Sequence, residues 1–316
     1  MRILFIGTGA IGVPVLRMLL DSREHSLLAV ITQPDKPAGR SQQLLASPIK
    51  ELALGGHVAV FQPKRIRDPA AIAQARYLRP DVIVVMAYGQ IFPGELLRIP
   101  PLAFLNLHAS ILPRHRGAAP IHAALEAGDP RTVITVMYVD EGLDTGDILL
   151  CKETPIRRRD TAGSLHDRLA ALAPEALAEA LSLLKLGRAP RTPQDSSLAT
   201  YSPKLGRENG RIDWNASQVQ IERKIRAMNP WPAAHTFLPD KEGGPQRKLK
   251  IFSAIRSRKS SGKPGEVLRA DKHGILVAAG EGGLLLRDLQ LEGRKRMSAR
   301  DFLLGHSIAQ GTILGP

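Results

Sequence analysis

Asn106 and His108 stand two residues apart at the end of the apolar run AFLNLH. In an extended strand, residues i and i+2 share a face. An amide and an imidazole would then converge, while Leu105 and Leu107 face the other way. Asp144 lies downstream in DEGLDTGD, between Gly142 and Gly146 and after the strand-like TVITVMYV. Amide, imidazole and carboxylate suit acyl transfer to a neutral amine without a metal or a covalent enzyme intermediate. The amide donates to an oxygen gaining charge. The imidazole takes a proton near neutrality, its reference pKa being about 6.5. The carboxylate orients the imidazole. The bland alternative is a pair of polar residues at a strand end and a turn aspartate. A strand's carboxyl end, where open α/β sheets bind ligands, raises the weight of the catalytic reading.

The acidic loop carries Asp140, Glu141, Asp144 and Asp147, which suggests a metal. Its spacing does not match the calcium loop, and no His/Cys cluster supports zinc, so no metal is expected. Asp140 and Asp147 fit turn or cap roles better. Cys151 is the only cysteine, which excludes an intrachain disulfide. Within the apolar run ILLC it reads as a buried structural thiol.

The elements that must position these side chains follow from patterning. RILFIG, SLLAVIT, HVAVF, DVIVVMA and AFLNLH read as strands, separated by the helical stretches IGVPVLRMLL, SPIKELAL and DPAAIAQARYL. Alternation of apolar strands with helices means a mostly parallel sheet covered on both faces. Residues 160–184 form an Ala/Leu-rich amphipathic stretch, which Pro174 is expected to split into two helices. A Pro/Ser-rich basic run then reads as a linker. After it, a helix ending before Pro230 leads into HTFL, KLKIFSAI, GEVLRA, GILVAAG and GLLLRDLQL, short strands with Gly turns. The expected division is an α/β domain over 1–188, a linker over 189–206 and a small basic β-barrel domain over 207–316. MNPWPAA, with Asn229, Pro230, Trp231 and Pro232, is expected to be a rigid hinge between the domains.

The chain has 316 residues, 43% hydrophobic and 4% aromatic, with net charge +14. Residues 201–316 carry 21 Lys and Arg against 11 Asp and Glu, and the first 200 carry 23 against 19. Excess charge concentrated in the second domain points to a polyanion, most simply a nucleic acid, docking there. Few aromatics argue against base stacking. The apolar amino terminus imitates a signal peptide, but its glycines, Pro14 and Arg17 interrupt it. With no run of transmembrane length, the chain reads as cytoplasmic and makes no membrane contact.

Two further segments compete for a ligand. Gly7, Gly9 and Gly12 in GTGAIG match the dinucleotide fingerprint. The acidic residue expected after the second strand is missing, since Asp35 lies beyond Pro34, so a structural turn is preferred. QPDKPAGRSQQLLASPIK is a long polar loop whose Lys36, Arg40 and Lys50 are expected to meet phosphates.

Taken in order, QPDKPAGR, MAYGQI, NLHASILPRHRGAAPI, DEGLDTGD, RIDW and NPWP resemble the methionyl-tRNA formyltransferases, within the folate-dependent formyltransferase family. The resemblance covers nearly the whole chain. It implies a Rossmann-like domain followed by an OB-fold-like carboxyl-terminal β-barrel. It implies transfer of a formyl group from 10-formyltetrahydrofolate to the methionine amino group of initiator Met-tRNA, by a monomer. It implies catalysis by Asn106, His108 and Asp144. Folate contacts would fall at Ser110, Ile111, Leu112 and Pro113 and at the backbone of Ala87, Tyr88 and Gly89. The loop near Arg40 would approach the tRNA acceptor end. Three positions depart from the family pattern: Ser41-Gln42-Gln43 replaces a basic run, His115 replaces an aromatic, and GTGAIG replaces a GTP-type turn. A formyltransferase of amino-sugar nucleotides, a nicotinamide oxidoreductase and an RNA-binding protein with a degenerate enzyme domain are the competing readings. The first needs no basic second domain, the second rests on GTGAIG alone, and the third is hard to square with an intact Asn–His–Asp set.

Overall fold

The computed structural model describes residues 1–38, 43–239, 246–258 and 261–315. The chain divides into two compact units. Unit 1 holds 1–120, 131–155 and 166–203, and unit 2 holds 121–130, 156–165 and 204–316.

Unit 1 is built on strands β1 (Arg2–Gly7), β2 (Ser26–Ile31), β5 (Val60–Phe61), β6 (Val82–Met86), β7 (Ala103–His108), β9 (Arg131–Tyr138) and β10 (Ile148–Pro155). They lie in the order β10-β9-β7-β6-β1-β2-β5. The pairings from β5 to β7 are parallel, while β9 runs antiparallel to β7 and β10 antiparallel to β9. Every residue of β6 is buried, as a parallel strand covered on both faces requires. The core gathers Leu4, Ile6, Ile31, Ile83, Val85, Leu96 and Phe104 around Tyr88 and Phe92. The intervening helices start where the sequence supplies start signals. Proline stands in the first turn of α1 (Val13–Leu20), α2 (Pro48–Gly55) and α3 (Pro69–Leu78). Ser47 caps α2 by accepting the Lys50 N–H at 3.1 Å. A single-turn α4 (Gly94–Leu97) precedes β7. A small hairpin, β3 (Lys36–Ala38) with β4 (Gln43–Leu45), follows β2.

Strand order reverses between β1 and β6, the crevice where a dinucleotide would sit. Here the backbone closes it: the N–H groups of Thr8 and Gly9 both donate to the Ala87 carbonyl at 3.2 Å. A Cβ on Gly7 would meet the Met86 carbonyl oxygen at 2.8 Å, and one on Gly9 would meet Ala87 Cβ at 3.0 Å. Gly7 and Gly9 of GTGAIG serve close packing of two strand ends, as the turn reading expects.

Helix α5 (Pro120–Ala127) follows the short strand β8 (Arg116–Gly117), and α6 (Ala162–Lys185) runs unbroken through Pro174. The expected split at Pro174 is therefore corrected. Proline removes one helical N–H, yet burial of Leu169, Ala173, Ala176, Leu177 and Ala180 on both sides of it holds the helix together. The run expected as linker is stitched into unit 1. Thr192 bridges Ile148, and β11 (Tyr201–Ser202) pairs in parallel with β8.

Unit 2 carries an antiparallel sheet of β12 (Ala234–Leu238), β13 (Arg247–Ser257), β14 (Val267–Asp271), β15 (Gly274–Ala278) and β16 (Gly283–Leu291), in the order β12-β13-β16-β15-β14, with β17 (Met297–Ser298) on β16. Helix α7 (Gln218–Ala227) starts in a capping box between Ser217 and Gln220, and α8 (Ala299–Gly305) is capped by Ser298. Alternate residues Leu249, Ile251, Val277, Leu284, Leu286 and Leu289 are fully buried. Around NPWP, Asn229 Nδ2 donates to the Phe252 carbonyl at 3.0 Å, and Trp231 is half exposed.

Candidate active site

The site forms past the carboxyl end of β7. Asn106 and His108 alternate with buried Leu105 and Leu107, as the i, i+2 spacing requires. Between β9 and β10 the acidic loop turns back on itself. A Cβ on Gly146 would lie 2.0 Å from the Tyr138 carbonyl oxygen, so only glycine allows this approach. Asp140 holds the turn by accepting from Gly142 N–H at 3.1 Å and Thr145 Oγ1 at 2.6 Å. The next acidic residue on the glycine-flanked stretch, Asp144, sits at φ +54°, a left-handed conformation that aspartate tolerates better than most side chains.

The Asp144 carboxylate reaches both strand residues. Asn106 Nδ2 donates to its Oδ1 at 3.3 Å, and His108 Nδ1 lies 3.6 Å from Oδ2. The Gly117 N–H donates to the same Oδ2 at 2.8 Å. Because a carboxylate accepts only, the Asn106 amide must present nitrogen to it, and its second N–H remains for another acceptor. The other ring nitrogen of His108, Nε2, lies 3.1 Å from the His115 carbonyl oxygen. A neutral imidazole has one N–H for these two oxygens, whereas the protonated ring has one for each.

His115 sits at φ +61° and is buried. Its N–H donates to Thr200 Oγ1 at 2.8 Å, and its carbonyl also accepts from Ser202 Oγ at 3.2 Å. Thr200, Ser202 and Gln194 all come from the run read as linker, and nothing in their local pattern marks them. Only long-range pairing with β8 reveals them.

The remaining expected residues separate into two groups. Ser110 is fully buried; its hydroxyl donates to the Arg114 carbonyl at 2.7 Å and its carbonyl accepts from Thr135 Oγ1 at 2.7 Å. Leu112 is buried, while Ile111 and Pro113 keep part of their surface. At the adjacent end of β6, Ala87 and Gly89 are exposed and take φ +51° and +80°. The Tyr88 side chain turns into the core, stacked on Phe92, and burial pushes its hydroxyl up to about 12. Its carbonyl accepts from Gln33 Nε2. Lys36 is exposed and donates to Gln33 Oε1 at 2.6 Å, and Lys50 pairs with Asp35 at 2.6 Å. The Asp35 carboxyl is held below its ordinary range by hydrogen bonds from Lys50 and then Gln62. Arg40, with Ser41 and Gln42, lies outside the described residues. Cys151 is exposed rather than buried, because β10 is the antiparallel edge strand; its sulfur lies 3.5 Å from Thr135 Oγ1. Among the described residues, no helix is long and apolar enough to cross a membrane.

Residues 1–181 match the family model for formyl transferase, and residues 204–307 match that for the formyl transferase C-terminal domain. Over 316 residues the chain is 48% identical to a methionyl-tRNA formyltransferase of Methylacidiphilum infernorum, covering 100% of this chain and 98% of that one. Two solved structures share the fold. HypX from Aquifex aeolicus in complex with tetrahydrofolic acid has a TM-score of 0.63 at 20% identity, covering 96% of this chain and 47% of that one. Methionyl-tRNA formyltransferase from Clostridium thermocellum has a TM-score of 0.56 at 17% identity, covering 82% and 95%.

Proposed function

The chain belongs to the formyl transferase family, and on that premise we propose that it moves a formyl group from 10-formyltetrahydrofolate to the α-amino group of methionine on initiator tRNA. The observation that carries the chemistry is the Asp144 carboxylate shared between Asn106 and His108. The identity over the whole chain, second domain included, favours a charged tRNA over a small amine as acceptor.

The residues present fit the folate. Ala87 and Gly89 expose bent backbone beside β7, and among the described residues outside its chain neighbours only Gln33 Nε2 lies within 4 Å of a Cβ placed on Gly89. A flat heterocycle with polar edges suits exposed backbone, and Ile111 and Pro113 past β7 keep apolar surface for its faces. These residues would hold the folate; Ser110 and Leu112 would shape the turn from beneath. Bound there, the folate supplies an activated formyl group.

The attacking amine must be neutral, and a free α-amino group has a pKa near 8. His108 takes the amine's proton as the new C–N bond forms and returns it to the folate nitrogen as that nitrogen's bond to the formyl carbon breaks. The charged ring then has an acceptor at each end, Asp144 at Nδ1 and the His115 carbonyl at Nε2. Asn106 donates its second N–H to the formyl oxygen as charge builds there. Asp144 fixes both side chains at once. No side-chain nucleophile is needed.

The basic second unit is the proposed tRNA-docking surface, with Lys36 and the residues around Arg40 nearer the acceptor end. Lys50, already paired to Asp35, has the smaller part in this. The division proposed is a catalytic domain over 1–188, served by the following segment to 203 rather than followed by a free linker, and a basic domain over 207–316, in a cytoplasmic monomer. The test is formyl transfer from 10-formyltetrahydrofolate to charged initiator Met-tRNA, charged elongator Met-tRNA and an amino-sugar nucleotide. Selective formylation of the initiator is expected. Transfer to the sugar nucleotide alone would overturn the tRNA assignment.

A further inference from the structure

The acidic loop is held from a direction that the Asn–His–Asp set does not explain. Gln194, half-buried in the run after α6, donates from Nε2 to two backbone carbonyls of that loop: Asp144 O at 2.9 Å and Gly146 O at 2.7 Å. Its Oε1 accepts twice from one guanidinium, Arg116 Nη2 at 2.7 Å and Arg116 Nε at 3.1 Å. Arg116 is 2% exposed, the largest fully buried side chain among the described residues. Its neighbour Gly117 supplies the N–H that meets the Asp144 carboxylate. One two-residue strand therefore holds Asp144 twice, directly through backbone and indirectly through Gln194.

The chemistry of the three groups fixes the order. A guanidinium has no acceptor, so it must face the amide oxygen. The amide nitrogen then has to face the loop, where two carbonyls need donors. Of the common side chains of this length, only glutamine accepts two bonds at one end while donating two at the other. Glutamate would meet Arg116 as an ion pair but would turn an oxygen toward both carbonyls.

We propose that Gln194 is a positioning residue for the formyl-transfer reaction: with its amide oriented by buried Arg116, it sets the acidic loop so that the Asp144 carboxylate meets Asn106 and His108 together. This rests on the reading of Asp144 given above. Asp144 sits in a left-handed conformation on a glycine-flanked loop, so its carboxylate depends on outside holds for its aim. Small errors of placement at a reacting centre are costly, and a displacement of about 1 Å lowers rates by about 100-fold.

The experiment compares wild type, Gln194→Glu, Asp144→Asn and the double variant in full-length protein. Gln194→Glu keeps volume and a partner for Arg116 while removing both N–H donors. Asp144→Asn retains the left-handed conformation. Formyl transfer from 10-formyltetrahydrofolate to initiator Met-tRNA is followed, with kcat and both KM values separated and thermal melting measured in parallel. Gln194→Glu is expected to lower kcat by about 10- to 100-fold, with KM for tRNA unchanged within about twofold. In the Asp144→Asn background the same change is expected to cost no more than about twofold, because the group it aims is already gone. Gln194→Met, which removes the donors without introducing a charge, is expected to repeat the fall in kcat if the glutamate variant melts too early to assay. Wild-type kcat in a folded Gln194 variant, or full multiplication of the two single effects in the double variant, would overturn the positioning role while leaving Asp144 in place. Wild-type activity of Asp144→Asn would instead overturn the reading beneath it.

Discussion

Two buried histidines, one in each unit, differ in what surrounds them. His108 in unit 1 is 6% exposed and lies between a carboxylate and a carbonyl oxygen, one at each ring nitrogen. His235 in unit 2 is 2% exposed, with the Ala233 carbonyl 3.3 Å from Nδ1 and no hydrogen-bond partner at Nε2 among the described residues. Burial pushes the His235 imidazole below its ordinary value, the Ala233 carbonyl opposing and Lys248 assisting. His108, the proposed proton acceptor, has an oxygen facing each ring nitrogen. Among the described residues, His235 has an oxygen at one ring nitrogen alone, and burial disfavours its charged form. Burial is shared by the two rings, and the number of oxygens around them is what differs.

The contrast can be broken most severely at the site itself. His108→Ala and Asn106→Ala are each expected to lower formyl-transfer turnover by about 10²- to 10⁴-fold, with tRNA affinity nearly unchanged. Kinetics with charged initiator tRNA beside a direct binding titration checks this, and a parallel fall in affinity and turnover would count against it.

A smaller effect is expected on the basic unit. Arg294 and Lys295 are exposed on the segment joining β16 to β17. Replacing both by alanine should weaken tRNA binding and flatten the dependence of log K on log salt by about one for each phosphate left without its cation. Turnover at saturating tRNA should stay at the wild-type level. An unchanged salt slope would remove this segment from the docking surface.

The smallest effect concerns His235. Its folded value lies below the unfolded value of about 6.5, so the unfolded chain binds the proton more readily. The stability that comes from keeping the ring neutral is complete above pH 6.5 and falls away as pH drops from there through the folded value. His235→Phe should melt nearly as wild type does at pH 7.5 and lose less than wild type at pH 5.5. Equal losses in the two proteins would show that the ring does not couple to folding.

Much of unit 1 was legible because local pattern and tertiary position coincide there. Apolar runs became the sheet, prolines marked three helix starts, and the i, i+2 spacing placed Asn106 and His108 on one face. Asp144 was legible from its flanking glycines. What stayed hidden depends on partners distant in sequence. Arg116 in RGAAPI gives no local sign that its guanidinium is buried, and Gln194 lies in a polar run whose composition reads as linker. Pro174 misled because a helix-breaking residue was weighed without the packing on either side of it. Cys151 misled because a run of apolar letters does not reveal that its strand is the sheet's edge. The GTGAIG fingerprint lacks its acidic partner in the sequence, and the hydrogen bonds that join β1 to the end of β6 supply the physical reason.

The most direct measurement is single-turnover formylation of initiator Met-tRNA by Asp144→Asn at saturating 10-formyltetrahydrofolate. The substitution is nearly isosteric and tolerates the φ of +54°, but it removes the charge shared by Asn106 and His108. A fall of about 100-fold or more in the chemical step, with unchanged tRNA binding, is expected if the carboxylate orients the imidazole. A wild-type rate would contradict the assignment of this cluster as the centre of the reaction.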